Sequence, residues 1–132
     1  MKKKADLVKG WFRKGDSDMA NVRACLSLDQ CLDTACFHAQ QAAEKYIKAY
    51  LTWRDVDFPF THNLENLIDI CSELDASFSA LYEMADLLTP YAVTLRYDQD
   101  FWPGVDTVRE ALDAAEKIRE FISNRLPNEL NI

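Results

Sequence analysis

"TACFHAQQAAEKYIKAYL", Thr34 to Leu51, is the stretch whose reading decides the fold. Ala35, Ala39, Ala42, Ala43, Tyr46, Ala49, Tyr50 and, just beyond it, Trp53 recur at three- and four-residue steps, which predicts one helix from about Leu32 to Trp53 with a broad apolar face. So many alanines on that face point to close helix–helix contact. On the opposite side of the wheel, His38, Gln41, Lys45 and Lys48 fall within about 80° of one another, a predicted outer polar stripe. Two ammonium groups, an amide that donates and accepts, and an imidazole able to do either would suit an anion or a nucleotide. An ordinary solvated helix face is the alternative.

The same period runs outward in both directions. Leu7, Val8, Trp11, Gly15, Met19, Val22 and Leu26 predict a first helix from about Ala5 to Leu28, with Gly15 inward, where it would let another backbone come close. After Pro59, Thr61 is placed to cap a third helix carrying Leu64, Leu67, Ile68, Cys71 and Leu74. A fourth element starts near Ser77 or Ser79, carries Leu81, Met84, Ala85 and Leu88, is restarted or kinked at Pro90, and reaches about Tyr97. "DQDFWPG", Asp98 to Gly104, reads as a loop whose Phe101 and Trp102 could dock on the bundle or on a partner. Thr107 to Glu110 has the form of a capping box opening a last helix, with Val108, Ala111, Leu112, Ala115, Ile118, Ile122 and Leu126 inward. Pro127 closes it, and residues 127–132 read as a loose tail. These segments predict a single all-α domain over residues 1–132, an up-and-down bundle of four to five antiparallel helices ordered from about 5 to 126.

Composition excludes several classes of function. The chain has 132 residues and is 48% hydrophobic, enough for one core without a disulfide or metal staple. Its four cysteines form no C-x-x-C pair and are expected to pack as small hydrophobes, their thiols reduced in a cytoplasmic protein. No metal or cofactor is expected: there is no glycine-rich phosphate loop and no Glu-x-x-His pair. No apolar run approaches the roughly 20 residues of a membrane span, and Lys2, Lys3 and Lys4 lead into an amphipathic segment rather than a secretory signal. A net charge of −7 argues against nonspecific nucleic-acid binding. The charge is uneven, however. Lys2, Lys3, Lys4, Lys9, Arg13 and Lys14 against Asp6 give the first 14 residues +5 and leave −12 for the rest, either a solvated, frayed terminus or an anion-binding arm.

Three segments resemble a known family. "FHAQQAAEKYIKAYL" (Phe37 to Leu51), "FPFTHNLENLI" (Phe58 to Ile68) and "LTPYAVTLRY" (Leu88 to Tyr97) are similar, in order and spacing, to the HEPN domain, a helical family whose name records a proposed nucleotide-binding role. "GDSDM", Gly15 to Met19, resembles its first-helix pattern and makes Asp18 a candidate structural partner. The resemblance implies a bundle of four or five helices, commonly dimeric, with two kinds of function. Many members are ribonucleases with an arginine, four to six residues and a histidine; others lack that motif and accompany a small nucleotidyltransferase.

This sequence departs from the nuclease pattern. Arg96 stands where the family's arginine-tyrosine would be, but no histidine follows it, and Arg54 and His62 have seven residues between them, with Pro59 among these. With Asp98 and Asp100 beside it, Arg96 would be an ion pair or a helix C-terminal charge as readily as a phosphate contact. His62 fits a helix start. The expectation is a noncatalytic HEPN-type protein, a homodimer or the partner of a small nucleotidyltransferase in a toxin–antitoxin-type pair, binding a nucleotide-like ligand through His38, Gln41, Lys45, Lys48, Arg96 and Tyr97, with His62 as a further candidate. The alternatives are a metal-independent ribonuclease using His38, His62 and Arg96, and a purely structural interaction bundle. Phe37, Leu51 or Phe101–Trp102 are candidates for a dimer surface.

Overall fold

The computed structural model describes residues 3–132; Lys2, part of the basic run, lies outside the described residues. Five α-helices follow in order: α1 Lys4–Leu28, α2 Leu32–Trp53, α3 Leu64–Leu74, α4 Tyr82–Leu88 and α5 Val105–Ser123. Among the described residues there is no strand, and the all-α bundle stands. No helix among them is long and apolar enough to cross a membrane.

α2 is the axle. From Ala35 to Leu51 it buries residues on nearly every side, including Tyr46, Ile47 and Leu51 at 0% exposure, and burying side chains of this size contributes about 1.5–3 kcal/mol each. α1 packs along it after a short turn through Asp29 and Cys31, both left-handed at φ 52° and 56°. α5 packs on α2 and α1, while α3 and α4 close the remaining flank. The alanines allow this crowding, since a helix touched by all four others needs small residues where backbones approach.

Several local expectations are corrected. On α1 the buried stripe is Val8, Phe12, Gly15, Asp18, Met19, Val22 and Cys25; Leu7 is 46% exposed, and Trp11 and Leu26 are half-buried at its edges. Gly15 admits a side chain rather than a backbone: a Cβ there would lie 2.6 Å from the Tyr46 ring. The cap of α3 is Asn63, whose side chain accepts from the Glu65 and Asn66 amides, while Thr61 Oγ1 accepts from the Asn63 amide. There is no capping box at Thr107, because α5 already starts at Val105 with Gly104 as its uncapped N-terminal neighbour.

The fourth element is not one helix. It is a 3₁₀ turn Ala76–Leu81 opened by the Asp75 side chain, then α4, then 3₁₀ turns Thr89–Tyr91, with Pro90 near its start, and Leu95–Tyr97. Finally, the tail is not loose. α5 ends at Ser123, Asn128–Leu130 form a 3₁₀ turn, and Leu130 is 4% exposed against the core.

Candidate functional site

The polar stripe on α2 is not an outer face. α1 covers one flank and the segment before α3 covers the other, so its members divide between two carboxylate-centred clusters. In the first, Asp18 of α1, 8% exposed, accepts from His38 Nδ1 at 2.8 Å and from Lys45 Nζ at 2.6 Å. Asp18 is thus the partner that the α1 pattern suggested. In the second, Glu44, 4% exposed, accepts from Lys48 Nζ at 2.9 Å, His62 Nδ1 at 3.0 Å and Gln40 Nε2 at 3.3 Å. Gln40 Nε2 also donates to the His62 carbonyl at 2.8 Å, and Gln41 Nε2 donates to Gln40 Oε1 at 2.8 Å, which ties Gln41 to the second cluster.

The consequence is electrostatic. Both stripe lysines are already neutralised, and Lys48 is itself buried, its ammonium 5.6–5.9 Å from the ring centres of Phe58, Trp11 and Phe60. A buried pair of this kind is secured by its bonding partners and aromatic walls, not by solvent. Each histidine meets its carboxylate through Nδ1, which leaves Nε2 outside that bond. The two rings, however, are anchored in different clusters.

Arg96 and Tyr97 lie apart from both, in the short turn Leu95–Tyr97. The Arg96 guanidinium sits 3.9 Å over the Phe37 ring and 5.7 Å from that of Tyr97. Among the described residues it makes no ion pair, so of the alternatives weighed for it the pairing with Asp98 or Asp100 is absent, while Arg96 does stand in the last turn of a helical element. Phe37 in turn meets the His38 ring edge-on at 5.6 Å, so one patch links Arg96 to the first cluster. Tyr97 is 79% exposed and Trp102 76%, whereas Phe101 stacks on Tyr91 at 5.7 Å. Leu51 is fully buried and is no candidate for a dimer surface. Arg54 donates to the Tyr50 hydroxyl at 2.7 Å, away from His62 in the Glu44 cluster.

A third polar centre was not foreseen. Asp16 accepts from Tyr46 Oη at 2.6 Å and from Arg119 Nε and Nη2 at 2.8 and 3.2 Å. It lies in a cleft of about 600 Å³ between α1 and α5, also lined by Arg23, Glu116 and Ser123. Burial alone would raise the Asp16 carboxyl, but the bonds from Arg119 and Tyr46 and the nearby guanidinium charges outweigh it, holding the group below its ordinary value. Burial, followed by the bond to Asp16, drives the Tyr46 phenol well above its usual range. No local pattern in the sequence points to this centre, since Tyr46 and Arg119 lie 30 and 103 residues from Asp16. Glu44 could have been found four residues before Lys48, the favourable order for a helical ion pair.

All four cysteines are free; Cys25, Cys36 and Cys71 are buried and Cys31 is exposed. Burial pushes the Cys36 and Cys71 thiols up to about 12, the state of inert packing groups. No group of side chains among the described residues is arranged to hold a metal ion.

The architecture is shared with solved proteins. The crystal structure of ST0689, an archaeal HEPN homologue, matches with a TM-score of 0.73 at 20% identity, covering 95% of this chain and 98% of that one. The crystal structure of TT1696 from Thermus thermophilus matches with a TM-score of 0.74 at 26% identity, covering 90% and 98%. No curated protein matches the sequence. The HEPN domain family model matches residues 8–126, nearly the whole bundle, and the chain belongs to that family.

Proposed function

We propose that this chain is a noncatalytic, partner-binding HEPN protein that docks through the end of the bundle bearing Arg96, Tyr97 and Trp102. The expected occupants are a small nucleotidyltransferase, in a toxin–antitoxin-type pair, and a second copy of the chain in a homodimer. The observation that carries the reading is Arg96: exposed, without a carboxylate partner among the described residues, and lying over the Phe37 ring at 3.9 Å beside an exposed tyrosine. Arginine and large aromatics are the residues enriched at interface hot spots. Asp33 and Asp98 line the same small cleft, so its charge is mixed, which suits a protein surface better than a nucleotide. A nucleotide-like ligand finds less support on the α2 stripe, where Lys45 and Lys48 are already matched by Asp18 and Glu44. A ribonuclease would need acid, base and charge stabiliser around one phosphate, and His38 and His62 are bonded to separate carboxylates.

The test is calorimetric titration of the parent and of Arg96→Ala/Tyr97→Ala with a small nucleotidyltransferase from the same genome, alongside sedimentation velocity and an RNA-cleavage assay. The double variant should bind at least about 30-fold more weakly, a hot-spot loss near 2 kcal/mol. Its stability should change by no more than about 0.5 kcal/mol. Unchanged partner affinity and unchanged self-association would remove this surface from the reading. RNA cleavage that vanishes in His38→Ala would replace the reading with the ribonuclease.

A further inference from the structure

The flank built by α3 and α4 carries charge of one sign. From Asp55 to Leu95 the chain has eight carboxylates and neither lysine nor arginine. Among the described residues, ion pairs from Lys4 and Arg125 account for two of them, Asp55 and Asp75. The others include Glu65 and Asp69 on α3 and Glu83 and Asp86 on α4, all exposed. Asp86 stands close enough to Glu65 for a hydrogen bond between the two carboxyls, and that bond, with the like charge, lifts Glu65 above its ordinary value. Asp69 accepts from the Tyr82 hydroxyl, not from a cation.

Beside this acidic ridge runs a groove with an apolar floor. α4 packs on α5, and between them half-buried Met84 and Leu87 line a cleft of about 170 Å³. Its rim is Glu83 on the α4 side and Glu110, Asp113 and Lys117 on the α5 side. Three carboxylates against one ammonium leave that rim with a net charge of −2. Lys117 is moreover matched by Asp113 at 3.0 Å, so the unmatched groups are Glu83 and Glu110, neither of which is in an ion pair among the described residues. The groove shares no lining residue with the cleft at Arg96.

We infer that this groove docks a basic amphipathic segment of a partner protein, its apolar side chains entering over Met84 and Leu87 and its cations meeting Glu83, Glu110 and the Asp86–Glu65 pair. Apolar anchors in a groove with complementary charge along the edges are the form that helix-in-groove recognition takes. The cleft is smaller than the roughly 300–1,000 Å³ of pockets that enclose a drug-sized ligand, so it takes single side chains of something longer. The sign of the rim then selects the class of partner. Nucleic acid and anionic lipid are repelled by it, whereas lysine and arginine gain charge-assisted hydrogen bonds and relieve the crowding of carboxylates.

Calorimetric titration of the full chain, with amide-resolved NMR to locate binding, tests this. The probe is a synthetic leucine–lysine peptide patterned as an amphipathic helix, compared with oligolysine of equal charge. The patterned peptide should bind saturably and shift the amides of α4 and of residues 110–117. Oligolysine, which has no apolar anchor, should bind at least about tenfold more weakly. Glu83→Gln/Glu110→Gln should weaken the patterned peptide at least about tenfold, the loss of one or more charge-assisted contacts. Asp57→Asn/Glu129→Gln, which removes the same charge from exposed sites outside the groove, should not. No binding by the parent, equal affinity for the two peptides, or an equal loss in both double variants would each overturn the inference. So would sedimentation velocity in which the parent self-associates and Glu83→Gln/Glu110→Gln does not, because the occupant of the groove would then be a second copy of the chain.

Discussion

Glu44 and Asp16 are bonded alike and placed differently. Each carboxylate accepts from three side-chain donor atoms: Lys48, His62 and Gln40 for Glu44, and Tyr46 and two Arg119 nitrogens for Asp16. Their side chains, however, are 6% and 47% exposed. Water cannot replace a donor lost from Glu44, whereas it reaches Asp16 at the rim of its cleft. The same set of hydrogen bonds therefore does different things. Around Glu44 it lets a helix with polar residues be buried on nearly all sides; around Asp16 it orients groups next to open space at little energetic risk.

Lys48→Ala tests that contrast most severely. Removing one partner of a buried pair leaves the other charge unmatched, so unfolding free energy should fall by about 3–5 kcal/mol, read by urea denaturation. A loss near that expected for a surface lysine, within about 0.5 kcal/mol, would mean that Glu44 is not sealed and that the contrast with Asp16 fails. Next in size is Gly15→Ala, which strikes the Asp16 side through Tyr46. The new Cβ would meet the ring at 2.6 Å, and the ring is buried with its hydroxyl held by Asp16. Overpacking of this kind costs about 1–3 kcal/mol, and better helix propensity returns up to about 1 kcal/mol. The expected net loss is about 1–2 kcal/mol by the same two effects, with Tyr46 fluorescence shifted. A stabilised variant would show that the ring moves freely.

A smaller prediction bears on what the sequence could disclose. Asn63→Ala should cost about 1 kcal/mol because it removes the side chain that caps α3, while Thr107→Ala should cost less, since Thr107 caps nothing. Sequence reading favoured Thr61 and Thr107 because both have the right chemistry one turn from an apolar run. Which residue becomes the cap depends on where the chain leaves its neighbours, and that is tertiary. The long helices α1 and α2 were legible because their apolar period repeats over many turns. Residues 76–97 were not, because their short 3₁₀ turns are set by a cap at Asp75 and by packing rather than by period. The α2 stripe was legible as a geometry and illegible as an environment. A helical wheel shows which side chains share a face, but not that Asp18 and His62 will come from elsewhere to cover it.

The smallest effect lies at Asp16, and its pH dependence is what identifies it. Arg119→Ala should cost no more than about 1 kcal/mol near neutral pH, because the ion pair is half-exposed and screened. Burial pushes the Asp16 carboxyl up, but Arg119 and Tyr46 prevail and hold it below the ordinary 3.8. A carboxyl whose folded value is lower than its unfolded one contributes its stability above the unfolded value and loses it as pH falls through the folded value. The difference in unfolding free energy between the parent and Asp16→Asn should therefore be flat from neutral pH down toward 3.8 and shrink below it. Arg119 stays charged throughout, so the curve belongs to the carboxyl. Asp75 is also held low, chiefly by its bonds from Ser77, and acid unfolding of the parent alone would mix the two; taking the difference cancels Asp75. A difference that persists undiminished well below 3.8 would trace Asp16's contribution to shape and neutral hydrogen bonding. In that case exposure alone would not explain why the Asp16 centre matters less to stability than the sealed one at Glu44.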